Sequence, residues 1–506
     1  MNGLPILTLI AFAPLAGAIL LAFVDRKNES VIRQGALMVS LVTLLLSLTM
    51  LGGFVGGEPG YQFEENHAWV PSLGIKYHLG IDGISILLVL LTTVTMPLVF
   101  LSTWKAIGDR VKEFQICLLV LQSGMIGAFL ALDLILFYLF WEAMLIPMYL
   151  IVGIWGGQKR IYAAIKFFIY TMVGSLLMFV AILYLYKETG SFDLPVILEA
   201  LRENQIERDA QMWLFAAFAL SFAIKVPVFP LHTWLPDAHV EAPTAGSVVL
   251  AGVLLKMGTY GFIRFGMPLF PQAAAEFAPL ICWLAIVGII FGACMALVQR
   301  DIKKLIAYSS VSHLGYVVLG TFAFLAGKAA TGDGPPQGSV EAITGSILQM
   351  VNHGLSTGML FLLIGIIYER RHTRELANYG GIAKVVPVFS VFFIIATLSS
   401  IGLPGLNGFV GEFLILLGTY QANPLYGILA STGVVLGAVY MLMLVRKFLF
   451  GPLVHEENKS IEDCTPREIV YLVPLVILMV WIGLHPTTFT DLVEPTVVQY
   501  LEALKS

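Results

Sequence analysis

The chain has 506 residues, of which 58% are hydrophobic and 12% charged, and 33 acidic against 29 basic residues leave a net charge of −4. A soluble domain spends about a quarter of its residues on charge, so most of this surface must face lipid. The near-neutral balance gives no support to a nucleic-acid partner.

A membrane-spanning helix needs about 20 apolar residues to cross a hydrocarbon core of about 30 Å. In chain order, fourteen stretches are expected to span. The first seven lie near 4–24, 35–55, 82–104, 114–132, 134–155, 162–186 and 211–235. The other seven lie near 245–266, 277–298, 304–326, 343–367, 387–419, 424–449 and 469–485. The first, LPILTLIAFAPLAGAILLAFV, follows no basic leader and is expected to be retained. The twelfth is long enough to be broken. Between the sixth and seventh spans, SFDLPVILEALRENQIERDAQ carries apolar residues at helical spacing among many charges, and the tail TTFTDLVEPTVVQYLEALKS reads likewise. Both are expected as amphipathic helices on the outer face. GKAATGDGPPQGS is expected as a flexible loop.

Loop charge tests this count. With the N-terminus outside, 20 of the 29 Lys and Arg residues fall in inner loops. Seven fall outside: Lys76, Lys187, Arg202, Arg208, Arg264, Lys328 and Lys505. This is the positive-inside bias, and a wrong span count would scramble it. Fourteen spans with both termini on the outer, periplasmic side of a bacterial inner membrane is the expectation.

Two cations have no loop. Lys225 in LSFAIKVPVFP and Lys256 in VLAGVLLKMGTY lie inside apolar spans, where a charge on an isolated helix costs about 2.5–3.5 kcal/mol. Glu142 in LFYLFWEAMLIPMY and Glu412 in NGFVGEFLILL pose the same problem with opposite sign, and His313 and His353 complete the set. Each has a bland reading. A lysine can snorkel to an interface, Glu142 and Lys225 can form a static ion pair, and a lone histidine is commonly a packing residue. Six ionisable residues in six spans favour a proton path, which needs a series of groups whose proton affinity neighbours can move.

The backbone around them is unusual. Pro227, Pro230 and Pro236 follow Lys225 and remove helical hydrogen bonds. Pro404, with Gly402, Gly405, Gly408 and Gly411, interrupts the twelfth span ahead of Glu412. Interruptions of this kind in corresponding positions mark ion paths in repeat-built transporters. Spans 4–8 and 9–13 fit two inverted five-helix repeats, in which broken spans 7 and 12 correspond, as do spans 5 and 10. The expected divisions are residues 1–113 (three helices), 114–266 and 267–450 (the repeats), and 451–506 (inner loop, last span and tail).

Other signals are weaker. The glycine run before Glu412 lacks the Lys-Ser/Thr ending and preceding strand of a phosphate loop. His232, Asp237 and His239 in PLHTWLPDAH read as a polar cap or proton entry at the inner mouth of span 7 rather than a metal site. Asp133 is expected in the outer headgroup region. Cys117, Cys282, Cys294 and Cys464 form no CxxC pair and read as packing residues.

At KVPVFPLHTWLPDAHVEAPTAGSVVLAGVLLK the chain resembles the antiporter-like subunits of respiratory complex I, a family that includes Mrp-type cation/proton antiporters and membrane-bound hydrogenase subunits. LFWEAMLIPMY, RDIKKLIAYSSVSHLGY and LPGLNGFVGEF agree, and the resemblance covers essentially the whole chain. The residue at the break of span 12 is Glu412, where L- and N-type members generally carry lysine. The chain therefore resembles the M-type branch. The resemblance implies that Glu142 pairs with Lys225 and tunes its proton affinity, and that Lys256 and His313 bridge the membrane centre with His353 nearby. Glu412 would be the terminal group. It further implies proton translocation coupled to NADH:quinone oxidoreduction, with NADH, FMN, iron–sulfur clusters and quinone held by partner subunits and no cofactor in this chain. The implied partners are other membrane subunits of the complex, including sister antiporter-like subunits on either side. The alternatives are an Mrp-type Na⁺/H⁺ antiporter subunit, an L- or N-type sister, and a scaffold whose charges only lock helices together.

Overall fold

A computed structural model describes residues 4–203, 206–327 and 336–504. Lys328, Lys505 and most of the glycine-rich loop expected after span 10 lie outside the described residues. The described residues form a helical bundle with one small hairpin. Helices α1 (Ile6–Ala22) and α2 (Glu29–Gly53) are followed by strands β1 (Gln62–Val70) and β2 (Ile75–Ile81), paired antiparallel. Next come α3 (Ile86–Ala106), α4 (Val111–Leu130), α5 (Leu134–Trp155), α6 (Arg160–Thr189), α7 (Leu194–Glu203) and α8 (Arg208–Lys225). The chain continues through α9 (Trp234–Glu241), α10 (Thr244–Leu269), α11 (Pro271–Leu297), α12 (Ile302–Phe322) and α13 (Ser339–Arg371). It closes with α14 (Pro387–Ile401), α15 (Asn407–Ala422), α16 (Pro424–Phe448), α17 (Pro466–Leu484) and α18 (Thr487–Ala503).

Among the described residues, 11 helices are long and apolar enough to cross a membrane. The three expected spans outside this set are the short α1 and the two whose helices are interrupted, α8–α9 and α14–α15. The apolar stretches of α10 and α13 are wholly buried, whereas only 28% of that of α2 is. The bundle thus has a protein-wrapped centre and a periphery of bare apolar side chains, the arrangement a lipid solvent permits. Close approach at the centre uses small residues. A side chain at Gly292 of α11 would meet the backbone of Ser312 on α12 at 2.8 Å.

The amphipathic stretches expected at 191–211 and 487–506 form α7 and α18. Both line one cavity with Tyr61, Asp82 and Arg264, so they share a face of the bundle. The hairpin lies there too. Glu65 of β1 accepts from the amides of Leu7 and Thr8 at the start of α1. The Oγ1 of Thr496 accepts from the amide of Gly83. Both ends of the described chain therefore sit on the hairpin face. His78 of β2 stands between Glu64 and Asp193, at 2.9 and 3.2 Å, and Lys76 pairs with Asp193 at 2.8 Å.

One placement in this region differs from expectation. Arg264 is not in a loop: it lies near the end of α10, buried, with its guanidinium 2.6 Å from Asp82. A nearby carboxylate makes this interior position tolerable, and counting loop charge cannot reveal it. Asp133, at the end of span 4, is enclosed by protein. It caps α5, accepting from the amides of Ile135 and Leu136.

Candidate proton-transfer site

Six ionisable residues were expected inside the bundle, and four of them form a row across its centre. Lys256 stands on α10 immediately after a π turn over Leu250–Leu254. There the Leu255 amide reaches back to Leu250 O, one residue beyond its α partner, and the Ala251 carbonyl accepts the Lys256 ammonium. Irregular turns of this type recur at functional positions in helices. Lys256 Nζ also meets Nδ1 of His353, on α13, at 2.7 Å. The His353 ring lies 6.0 Å from that of His313, on α12. His313 Nδ1 in turn meets Glu412 Oε1, on α15, at 2.7 Å. All four side chains are buried. His313, Gln349, Asn352, His353, Ser399 and Ser400 line a small polar cavity between them.

The break in span 12 places Glu412. Helix α14 ends at Ile401, and the chain passes Pro404 before α15 starts at Asn407. Gly402 and Gly405 have φ of +81° and +93°, which a side chain would resist. Glu412 Oε1 also accepts from Gln349 Nε2 at 2.9 Å. On the far side of His313, Nε2 stands 3.4 Å from both Ser400 Oγ and Tyr440 Oη.

Lys225 is the last residue of α8, and Pro227 and Pro230 lie in the break before α9. Trp234 Nε1–H donates to Ile224 O across that break at 2.9 Å. The Lys225 side chain is buried, with Nζ 4.9 Å from the centre of the Trp141 ring. Glu142, the next residue, is half-buried and forms no ion pair among the described residues. Its charge reaches Lys225 through space. The indole face is therefore the immediate neighbour of this ammonium, and the carboxylate acts from further off.

The expected entry residues separate. Asp237 is held in an ion pair with Lys166 at 2.7 Å. His232 stacks on Phe229. His239 is fully buried against Phe361, and neither of its ring nitrogens has a hydrogen-bond partner among the described residues. The charges of Lys303 and Lys256 both reach it. Lys303, counted by sequence among inner-loop charges, is buried and donates to Ala242 O at 2.5 Å.

Sequence reasoning missed the neutral partners. Gln349, Asn352, Ser356, Ser399 and Asn407 are all buried along the central row and the break. Helical spacing offers a signal: Gln349, His353 and Ser356 recur at four and three residues on one face of α13. Among the described residues, no group of three His, Cys, Asp or Glu side chains is placed to hold a metal.

The family described as "NADH:quinone oxidoreductase/Mrp antiporter, TM" matches residues 131–437, which contain every residue of this row. The chain belongs to this family. It is 48% identical to the NADH-quinone oxidoreductase subunit M of Rhodobacter capsulatus, over 98% of this chain and 96% of that one. It is 42% identical to subunit M of Rickettsia conorii, over 97% of both. It is also 42% identical to NADH-ubiquinone oxidoreductase chain 4 of Chondrus crispus, over 98% of both. Among solved structures, a chain of respiratory complex I from Thermus thermophilus with bound NADH superposes with a TM-score of 0.87 at 31% identity. That match covers 98% of this chain and 99% of the other. A chain of an archaeal membrane-bound sulfane sulfur reductase superposes at 0.83 with 26% identity, over 94% of this chain and 76% of that one. The M-type resemblance read from Glu412 and its surroundings agrees with the names these family members carry.

Proposed function

We propose that this chain is the M-type proton-translocating subunit of a bacterial NADH-quinone oxidoreductase, in which partner subunits carry out the redox chemistry. The observation that carries the reading is the buried row Lys256–His353–His313–Glu412. A static bundle has little use for it, because every member costs free energy to desolvate. A proton relay needs groups within about 2.6–3.2 Å of each other or joined by one water. Two links of the row meet that condition directly, and the 6.0 Å between the histidine rings adjoins the polar cavity.

In the mechanism we favour, a change in field from the partner subunits alters how strongly Glu142 acts on Lys225. An opposite charge nearby favours the ammonium, and weakening it releases the proton. The proton passes to Lys256 and along His353 and His313 to Glu412, which hands it to the outer side or to a sister subunit. Reloading comes from the inner face by way of His239, with Lys303 beside it. His232 and Asp237 border the same mouth, although Asp237 is committed to Lys166.

The finer architecture belongs to the same reading: fourteen spans, both termini in the periplasm, and two inverted five-helix repeats over 114–266 and 267–450. The two linkers that precede α5 and α12 support the repeat. Asp133 and Asp301 each cap the following helix with a side-chain carboxylate. Each sits in a short antiparallel bridge, Asp133 with Asp193 and Asp301 with Glu375. In one bridge the amides of Leu134 and Leu194 donate to Phe192 O and Leu132 O. In the other, those of Ile302 and Leu376 donate to Arg374 O and Arg300 O. One bridge lies at the hairpin face and the other at the opposite face, as inversion requires.

The test is Glu142→Gln in membrane vesicles holding the whole complex, in sodium-free medium. Loss of both NADH-driven acidification and quinone reduction from assembled complex supports the reading. Retention of both makes the carboxylate structural. Proton movement that appears on adding sodium, without NADH, points to an antiporter.

A further inference from the structure

We infer that Gln349 is a positioning residue for Glu412: its amide holds the carboxylate against His313, and neutral side chains at the break of span 12 hold Gln349. The inference rests on the reading of Glu412 as a proton carrier.

Glu412 Oε1 receives two neighbours from two helices, His313 Nδ1 at 2.7 Å from α12 and Gln349 Nε2 at 2.9 Å from α13. The carboxylate cannot rotate away from His313 without breaking the Gln349 bond as well. The other titratable groups whose fields include Glu412 are the hydroxyls of Tyr316, on α12, and Tyr440, on α16. Each of these is bonded elsewhere, Tyr316 to Ala430 O and Tyr440 to Ser309 Oγ. Residues 472–484 of α17 are apolar apart from the Trp481 indole. Gln349 is thus the uncharged group that fixes where the terminal carboxylate points.

Gln349 is itself braced. Asn352 Nδ2 lies 3.5 Å from Gln349 Oε1 and donates to Asn407 O at 2.7 Å. Asn407 Nδ2 returns a bond to Asn352 O at 3.2 Å. Ser399 Oγ donates to Asn407 Oδ1 at 2.5 Å and meets Ser356 Oγ at 2.6 Å. The network therefore sews α13 to both edges of the break. Helix α15 can come this close because residue 411 is glycine. A Cβ there would fall 2.5 Å from Gln349 Oε1 and 2.9 Å from its Cα. Proton transfer falls off steeply with misplacement, and an error of about 1 Å can cost a hundredfold in rate.

The experiment uses the whole complex in vesicles and compares Gln349→Met, which keeps length and removes the donor, with Gly411→Ala, which displaces Gln349 without altering it. Assembly is followed on native gels. Infrared difference spectra supply a readout that a packing role would leave untouched: the protonated carboxyl band lost in Glu412→Gln. We expect assembled Gln349→Met complex to pump at least about tenfold slower, the lower end of the scale for a hydrogen bond to a charged group. The Glu412 band should move to higher wavenumber as it loses a partner. Gly411→Ala should move the same band the same way. An unmoved band with wild-type pumping in either assembled variant overturns the inference. Full pumping by Glu412→Gln would overturn the carrier reading instead, and the inference with it.

Discussion

Removing one member of the Arg264–Asp82 pair gives the clearest energetic prediction. The two side chains are 7% and 5% exposed and lie 2.6 Å apart. Truncating one partner of such a pair leaves a buried charge, at a cost of about 3–5 kcal/mol. Arg264→Met falls near the lower end, because Asp82 keeps the amides of Ile84 and Ser85 as donors. Asp82→Asn retains those cap bonds through its amide oxygen. It leaves the guanidinium a shared, uncharged amide oxygen in place of the carboxylate, beside the Tyr61 and Tyr260 hydroxyls at 3.3 Å each. The double variant carries no buried charge and should recover all but about 1–2 kcal/mol. The favourable coupling is thus at least about 4 kcal/mol. The assay is the fraction of complex that survives a heating series in detergent, scored on native gels. If the double variant loses as much as the two single losses combined, the pair is not coupled and this account of the buried arginine is wrong.

Three further outcomes follow. Trp141→Leu removes the aromatic face under Lys225. A buried cation–π contact of about 2 kcal/mol corresponds to roughly thirtyfold, so NADH-driven pumping should fall steeply while assembly persists. Burial works against the charge of Asp193, but His78 and Lys76 outweigh it and hold the carboxyl below its ordinary value. Its contribution is therefore fully present above the ordinary carboxyl value of about 3.9 and fades as pH falls through its lower folded value. Acidification should open the hairpin to amide hydrogen exchange, and Lys76→Met should shift that opening to higher pH. Lys303→Met removes the buried cation that donates to Ala242 O. If reloading runs past it, pumping should slow in assembled complex, and unchanged pumping would remove Lys303 from the route.

Much of the central site was legible because charge inside an apolar span is conspicuous. Lys225, Lys256, Glu142 and Glu412 each interrupt a stretch that composition alone assigns to lipid. The proline and glycine clusters likewise marked both breaks, since they remove donors or require a left-handed backbone. What stayed hidden depends on partners distant in sequence. Arg264 read as a loop residue because Asp82, 182 positions away, had no local signature. Lys303 read as an inner-loop charge because its partner, the Ala242 carbonyl in the turn between α9 and α10, is distant in sequence. The neutral network around Gln349 escaped because a glutamine in a helix breaks no rule of composition. The Glu142–Lys225 relation was legible as a charge pair, whereas the contact itself is made by Trp141, whose aromatic face looked like ordinary core.

The most direct test of the proposed proton row is Lys256→Met, because Lys256 meets His353 directly and, through it, His313. In vesicles containing assembled complex, NADH-driven acidification and NADH:quinone reductase activity would be recorded together. Loss of both, with normal assembly, is the predicted result. Wild-type values of both in assembled complex would contradict the account, since no proton could then need the centre of the row.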